Sequence, residues 1–254
     1  MSRIPPIDLH AHIRPDIAPS ELTALESLVF AATRSLAEAE QVSARADPWT
    51  IWGVGCHPGL ARAQKAFSSG RFCNLIATTP SVNEVGLDGT SRVPIARQLQ
   101  TFESILDVLQ DNPRITSIHS TGATQSILDS LQKRPIRGAV LHWWLGDEEQ
   151  TRRAVGMGCY FSVNSSMLRH NEILDLIPPD RVLTETDHPF GDRQAARPRR
   201  PGSVADVESA LARRHDLPPG QIRQRLWSNL ADLVASAGCA AQLPRQIRVL
   251  LAST

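Results

Sequence analysis

No Cys-x-x-Cys pair occurs in this chain: Cys56, Cys73, Cys159 and Cys239 stand singly, which argues against a structural zinc knuckle or a disulfide framework and fits reduced thiols. No uninterrupted apolar run approaches the roughly 18 to 20 residues that cross a bilayer, so no membrane partner is expected. The first residues run straight into Asp8 and His10 without an apolar stretch long enough for a secretory signal. A cytoplasmic location is the expectation. Charge of one sign is also missing. The formal net charge is +1, which excludes a protein that grips nucleic acid through a generally basic surface and leaves room for a local basic rim around a cleft. Repeats, low-complexity segments and interdomain linkers are absent as well, and a chain of 254 residues is expected to form a single domain over 1–254.

What is present is a rhythm of short apolar runs and amphipathic segments. A first strand is expected from Ile4 to His10, and alternation along it puts Asp8, His10 and His12 on one face. The segment Ser20 to Ala46 has Leu22, Leu25, Leu28, Val29, Ala32 and Leu36 at helical spacing, with Ser20 as N-cap. Further strands are expected at Trp49–Gly55, from Ser81 through Glu84 with Asp88 in the turn that follows, and at Ile115–Ile118, Ile136–Leu141, Cys159–Val163 and Val182–Thr186. Helices are expected at Leu60–Phe67, between Pro94 and Pro113, and at Ala123–Leu131, Glu148–Val155, Glu172–Ile177, Ser203–Arg214 and Pro219–Ser236. The connection through Leu75, Ile76 and Ala77 reads as irregular, and Arg193 to Pro201 as a basic loop.

Alternating strands and helices imply a parallel sheet, because parallel strands need crossover connections. Seven strands can be counted. His10, His12, His57, Glu84, His119, His142 and Asp187 each lie at or just past the C-terminal end of a strand, and only a closed barrel gathers all such ends around one centre. The expectation is an α/β TIM-type (β/α)8 barrel with one strand irregular or missing.

Imidazoles and carboxylates without cysteine suit zinc, manganese or magnesium, and six such ligands (His10, His12, Glu84, His119, His142, Asp187) exceed one tetrahedral ion. Two divalent ions are expected. Glu84 is the natural bridge between them, since the only lysines, Lys65 and Lys133, fall in expected helices and cannot serve as a modified bridging lysine at a strand end. Such a pair suits hydrolysis of a phosphoester.

The stretches Ile7–His12, Gly55–Pro58, Glu84–Asp88, Ser117–Ser120, His142 with the following Trp143-Trp144, and Thr184–Pro189 resemble, in order, the motifs of the TatD-type metal-dependent deoxyribonucleases. The Trp143-Trp144 pair and the Thr184–Gly191 version of the last motif are similar to the QatD branch found in bacterial anti-phage defence systems. The resemblance implies that His10, His12 and Asp187 hold one ion and that Glu84 bridges to a second held by His119 and His142. It also implies that Asp187 accepts a proton from the nucleophilic water and that His57 lies near the substrate phosphate. DNA or a nucleotide would be the substrate, with other proteins of the same defence system as partners. Catalytic roles therefore fall to Asp187, Glu84 and His57. Asp8 and Glu185 read as supporting residues, Asp8 orienting a ligand histidine.

The substrate layer departs from the family pattern. His119-Ser120-Thr121 has threonine where the family has arginine, and Gly59 stands where a second histidine is usual. Substrate contacts are assigned to His57, Trp143 and Arg193. Trp143 and Trp144 either stack on a nucleobase or pack between barrel and helices, and the arginines of the 193–200 loop either grip phosphates or form a solvated loop. Two other readings stay open. One is an amide, lactone or nucleobase hydrolase or a phosphomonoesterase of the same wide superfamily; the adjacency of Asp187 and His188 counts against the phosphatase. The other is a subunit of a defence complex with reduced catalysis.

Overall fold

The run Leu28 to Ala32 is apolar at every position and buried on both faces, the signature of a strand inside a parallel sheet rather than of a helix. It is the strand missing from the sequence count. Helical spacing over 20–46 is an accident of two short helices, Pro19–Thr23 and Leu36–Val42, that flank it. The computed structural model describes residues 4–191, 199–218 and 220–253; Arg193 and Arg197 lie outside them.

The strands are β1 (Ile7–His12), β2 (Leu28–Ala32), β3 (Thr50–Trp52), β4 (Ser81–Gly86), β5 (Ile115–His119), β6 (Ala139–His142), β7 (Tyr160–Val163) and β8 (Val182–Thr184). They form two parallel sheets, β1-β2-β3 and β4-β5-β6-β7-β8. The sheet edges meet at both seams. Just past β3, the Val54 amide donates to Ser81 O (3.1 Å) and Val54 O accepts from the Asn83 amide (3.1 Å). Past β8, the Asp187 amide donates to His10 O and the His12 amide to His188 O, both at 2.8 Å. The result is a TIM-barrel-like α/β fold whose strand C-terminal ends share one mouth.

Helices cover the outside where their apolar stripes demand it. Ile95–Asp111 starts after Pro94, which presets the entry, and buries Phe102, Ile105, Leu106 and Leu109 on one side. Asp147 and Gln150 close a capping box on Glu148–Gly156. The stretch through Leu75 and Ile76, expected to be irregular, belongs to a helix, Ser69–Ile76, capped by Ser68. A further helix, Arg245–Leu251, follows the two expected near the C-terminus. Among the described residues no helix is long and apolar enough to cross a membrane.

Two strands carry one extra residue. In β1, Asp8 pairs with Val29 but Ala11 with Ala31, so Leu9 and His10 together oppose Phe30. In β4, Val82 pairs with Thr116 but Val85 with Ile118, so Asn83 and Glu84 oppose Ser117. A bulge of this kind reverses the in-out alternation beyond it. Asp8 therefore faces outward with Val29, while Leu9, His10 and His12 face the interior. The two bulges are tied across the barrel: Asn83 Nδ2 donates to Leu9 O at 3.1 Å.

Candidate metal centre

β1 delivers His10 and His12, β4 delivers Glu84, and β5 and β6 end on His119 and His142. Asp187 follows β8 in a left-handed backbone conformation (φ 46°), held there by its own amide on His10 O and by the Phe190 and Gly191 amides on its carbonyl. The structure brings all six together. Glu84 lies at the middle. Its Oε1 is 2.7 Å from His119 Nδ1 and 2.9 Å from His142 Nε2. Its Oε2 faces the other way, 3.5 Å from His12 Nε2 and 3.9 Å from His10 Nε2. Asp187 Oδ1 closes that side at 3.7 Å from His10 Nε2 and 3.5 Å from His12 Nε2.

Among the described residues three groups of side chains offer ligand atoms close enough together to share an ion: His10 with His12 and Asp187, His57 with Glu84 and His119, and His10 with His142 and Glu185. Polar atoms at the centre also point into space without a partner in the protein. His10 Nε2, Glu84 Oε2, His119 Nε2 and His142 Nδ1 are buried and make no hydrogen bond. Leaving such atoms unpaired is unfavourable by about 1–3 kcal/mol each, so a cation fits this set.

Electrostatics prepare lone pairs for such a cation. Burial, reinforced by His142, lowers the His10 imidazole well below its ordinary value, and burial takes His12 down to about 4; both rings are neutral at neutral pH. Burial would raise Glu84, but His57 and His119 outweigh it and hold the carboxyl well below the usual range. Burial raises Asp187 in spite of His142. For His142 burial acts downward, and the neighbouring carboxylates of Glu185 and Glu84 overcome it.

His57 is set apart by its hydrogen bonding. Its Nδ1 accepts the Gly59 amide at 2.9 Å. A neutral imidazole that accepts at one nitrogen carries its proton on the other, so Nε2–H points at Glu84 Oε2, 3.5 Å away. In that tautomer His57 is a donor toward Glu84 and the mouth, not a ligand.

Of the supporting residues, Asp8 and Glu185 are expected from the sequence and Ser117 is not. Ser117 Oγ sits 2.7 Å from His10 Nδ1, so with Nδ1–H donating to it the Nε2 lone pair is aimed inward. Glu185, fully buried, accepts from the Trp143 amide at 3.0 Å, from Asn164 Nδ2 at 3.0 Å and from Ser162 Oγ, and its Oε1 is 3.7 Å from His142 Nδ1. Asp8 does not touch a histidine ring. Its carboxylate takes the Thr186 amide (2.8 Å), Thr186 Oγ1 (2.7 Å) and the Gly202 amide (2.7 Å), fixing the turn that carries Asp187. The expectation that Asp8 shares the His10 face fails because the bulge lies between them. Trp144 is core: fully buried, with Nε1 on Thr151 Oγ1 at 2.9 Å. Trp143 is half-buried beside it with φ 40°. Phe190, after β8, stands edge-on to the His12 ring at 5.2 Å. Arg193, expected at the substrate, lies outside the described residues.

Gly55, in the turn ahead of His57, shows why the spacing is fixed. A Cβ there would lie 1.7 Å from Thr33 O, the carbonyl that accepts the Glu84 amide.

Imidazoles and carboxylates gathered at the C-terminal ends of parallel strands form the donor set of the metal-dependent hydrolase barrels. The chain belongs to the TatD related DNase family, whose model matches residues 7–235. It is 30% identical over 190 residues to the 3'-5' ssDNA/RNA exonuclease TatD of Cronobacter turicensis, covering 68% of this chain and 71% of that one, and 29% identical over 189 residues to the same enzyme of Cronobacter sakazakii. In fold it is similar to the TatD homolog YJJV of Escherichia coli (TM-score 0.78, 20% identity, 90% of this chain and 97% of that one) and to a TatD family hydrolase of Entamoeba histolytica (TM-score 0.72, 14% identity, 92% and 99%).

Proposed function

We propose that this protein is a metal-dependent phosphodiesterase that hydrolyses single-stranded nucleic acid. The observation that carries the reading is the division of Glu84, one oxygen toward His119 and His142 and the other toward His10 and His12. His10, His12 and Asp187 would hold one divalent ion and His119 and His142 the second, with Glu84 shared. The ions, zinc, manganese or magnesium, supply Lewis acidity toward water and phosphate oxygen when bound. The rest falls to the chain itself. Asp187, within 3.7 Å of both histidines of its group, accepts the proton of the attacking water. His57 presents Nε2–H to the substrate phosphate from the rim. Trp143 flanks the opening as an apolar wall for a base, and Arg193 is assigned to phosphate contact. The nucleic-acid relatives support the substrate class.

Purified protein supplied with magnesium or manganese should shorten a labelled single-stranded oligonucleotide. His10→Ala and Glu84→Ala should each lose at least about a hundredfold in rate, since each removes a group shared by the centre. Wild-type protein inert on single strands in every metal, yet active on a phosphomonoester or a cyclic amide, would replace this reading with the wider-superfamily one. The QatD branch and a role in anti-phage defence are a finer proposal that rests on Trp143-Trp144 and Thr184–Gly191. Plaque counts on cells carrying wild type or His10→Ala decide whether catalysis serves such a system or whether the chain acts there as a scaffold.

A further inference from the structure

The donors of the centre are histidines, a glutamate and an aspartate, with no lysine or arginine among them, while each phosphodiester of a nucleic acid carries a negative charge. Arg34 stands beside the centre. It follows β2 and is locked on both sides by backbone groups of site residues. Thr33 N donates to Asn83 O and Thr33 O accepts the Glu84 amide, while Arg34 O accepts the His57 amide at 3.0 Å. Glu38, on the first turn of the helix Leu36–Val42, accepts the Arg34 amide at 2.8 Å and its Nη2 at 3.2 Å. The Arg34 side chain is 46% exposed, so its guanidinium is oriented by one carboxylate while donors beyond that contact stay available to solvent. Its charge is among those that act on His12.

We propose that Arg34 is a phosphate-gripping residue at the mouth of the centre, where it takes backbone oxygens of a bound single strand, with Glu38 as the residue that positions it. The choice of strand as ligand rests on the hydrolytic reading above. A planar guanidinium held by a neighbouring carboxylate suits this task, because its remaining N–H groups match two oxygens of one phosphate. Such a contact positions the strand without reading its bases.

The test is equilibrium binding of metal-loaded protein to fluorescent hexathymidylate with phosphorothioate linkages, which slow cleavage, measured over a range of sodium chloride. Each cation that neutralises a phosphate of a single strand contributes about 0.7 to the slope of log affinity against log salt. Arg34→Ala should weaken binding about tenfold and flatten the slope by about 0.7, while Arg34→Lys should keep the slope and lose only part of the affinity. A hexathymidylate with uncharged methylphosphonate linkages should bind wild type and Arg34→Ala equally. Equal affinity and slope for wild type and Arg34→Ala on the charged strand overturns the proposal, as does an equal loss on the uncharged strand, which would mark Arg34 as a structural residue. Absence of binding by wild type overturns it too. Cleavage of the unmodified strand is scored separately: the binding pattern without cleavage leaves Arg34 in place and removes the hydrolytic reading.

Discussion

Ser117→Ala removes one oxygen atom from the strand behind the centre and should be felt at the metal. Ser117 and His10 are both buried, and the 2.7 Å contact is the one hydrogen bond that the His10 ring makes among those described. To offer Nε2 to a cation the neutral ring must carry its proton on Nδ1, and without Ser117 that N–H has no acceptor. The unpaired donor costs about 1–3 kcal/mol, which is roughly 5- to 150-fold in an equilibrium constant. In the metal-free protein the ring can move its proton to Nε2, where Glu84 and Asp187 lie within 3.9 Å, and recover part of that loss. The bound state has no such escape. Ser117→Ala should therefore weaken the metal by about 10- to 100-fold in a chelator competition, in line with other partners of ligand histidines. It should also lower the melting temperature more in saturating metal than in chelator, at roughly 2–4 °C per kcal/mol for a chain of this size. Equal destabilisation in both conditions, with metal affinity unchanged, refutes the orienting role.

Three further outcomes can be stated. Burial pushes the Cys56 and Cys159 thiols up to about 12 and raises Cys239 as well, so iodoacetamide at pH 8 should label half-buried Cys73 alone in the folded protein and all four thiols in urea; labelling of Cys56 at the rate of Cys73 contradicts this. Asp47 accepts Arg45 Nε (2.7 Å) and Nη2 (3.0 Å) and Trp52 Nε1 (2.8 Å), and although burial acts upward these bonds hold its carboxyl below the usual range. Because the folded value is depressed, its contribution is present above about pH 4 and is lost as pH falls through the folded value. Asp47→Asn should cost roughly 1–3 kcal/mol in urea melts at pH 7 and progressively less toward pH 3, whereas a gap independent of pH would mean that the charge is irrelevant. Gly55→Ala should destabilise the fold by about 1–3 kcal/mol and depress activity with it, since the new Cβ drives against Thr33 O and so against Glu84; unchanged activity and stability would show that the contact between Thr33 and β4 yields freely.

The strand-end chemistry was legible because His, Glu and Asp at the ends of apolar runs have few other reasons to be there, and the β/α rhythm followed from helical stripes such as Phe102 to Leu109. β2 was hidden because a strand buried on both faces has no alternation to read, and its neighbours Leu22 and Leu36 completed a false helical pattern. Asp8 was given the wrong face because a bulge leaves no mark in the sequence. Ser117, Asn83 and Arg34 escaped notice for a different reason: serine, asparagine and arginine occur on many strands and loops, and only proximity to His10, Leu9 and His57 gives them meaning. Trp144, attractive beside a ligand histidine, was settled by its burial.

The two bulges, joined through Asn83 and Leu9, bear on how such a chain can drift over generations. A change of length at either bulge, by loss of one residue between Asp8 and Ala11 or between Val82 and Val85, would straighten the strand and undo the tie between Leu9 O and Asn83. Lineages of this fold should therefore hold the residue count at these two points as firmly as they hold His10 and Glu84 themselves.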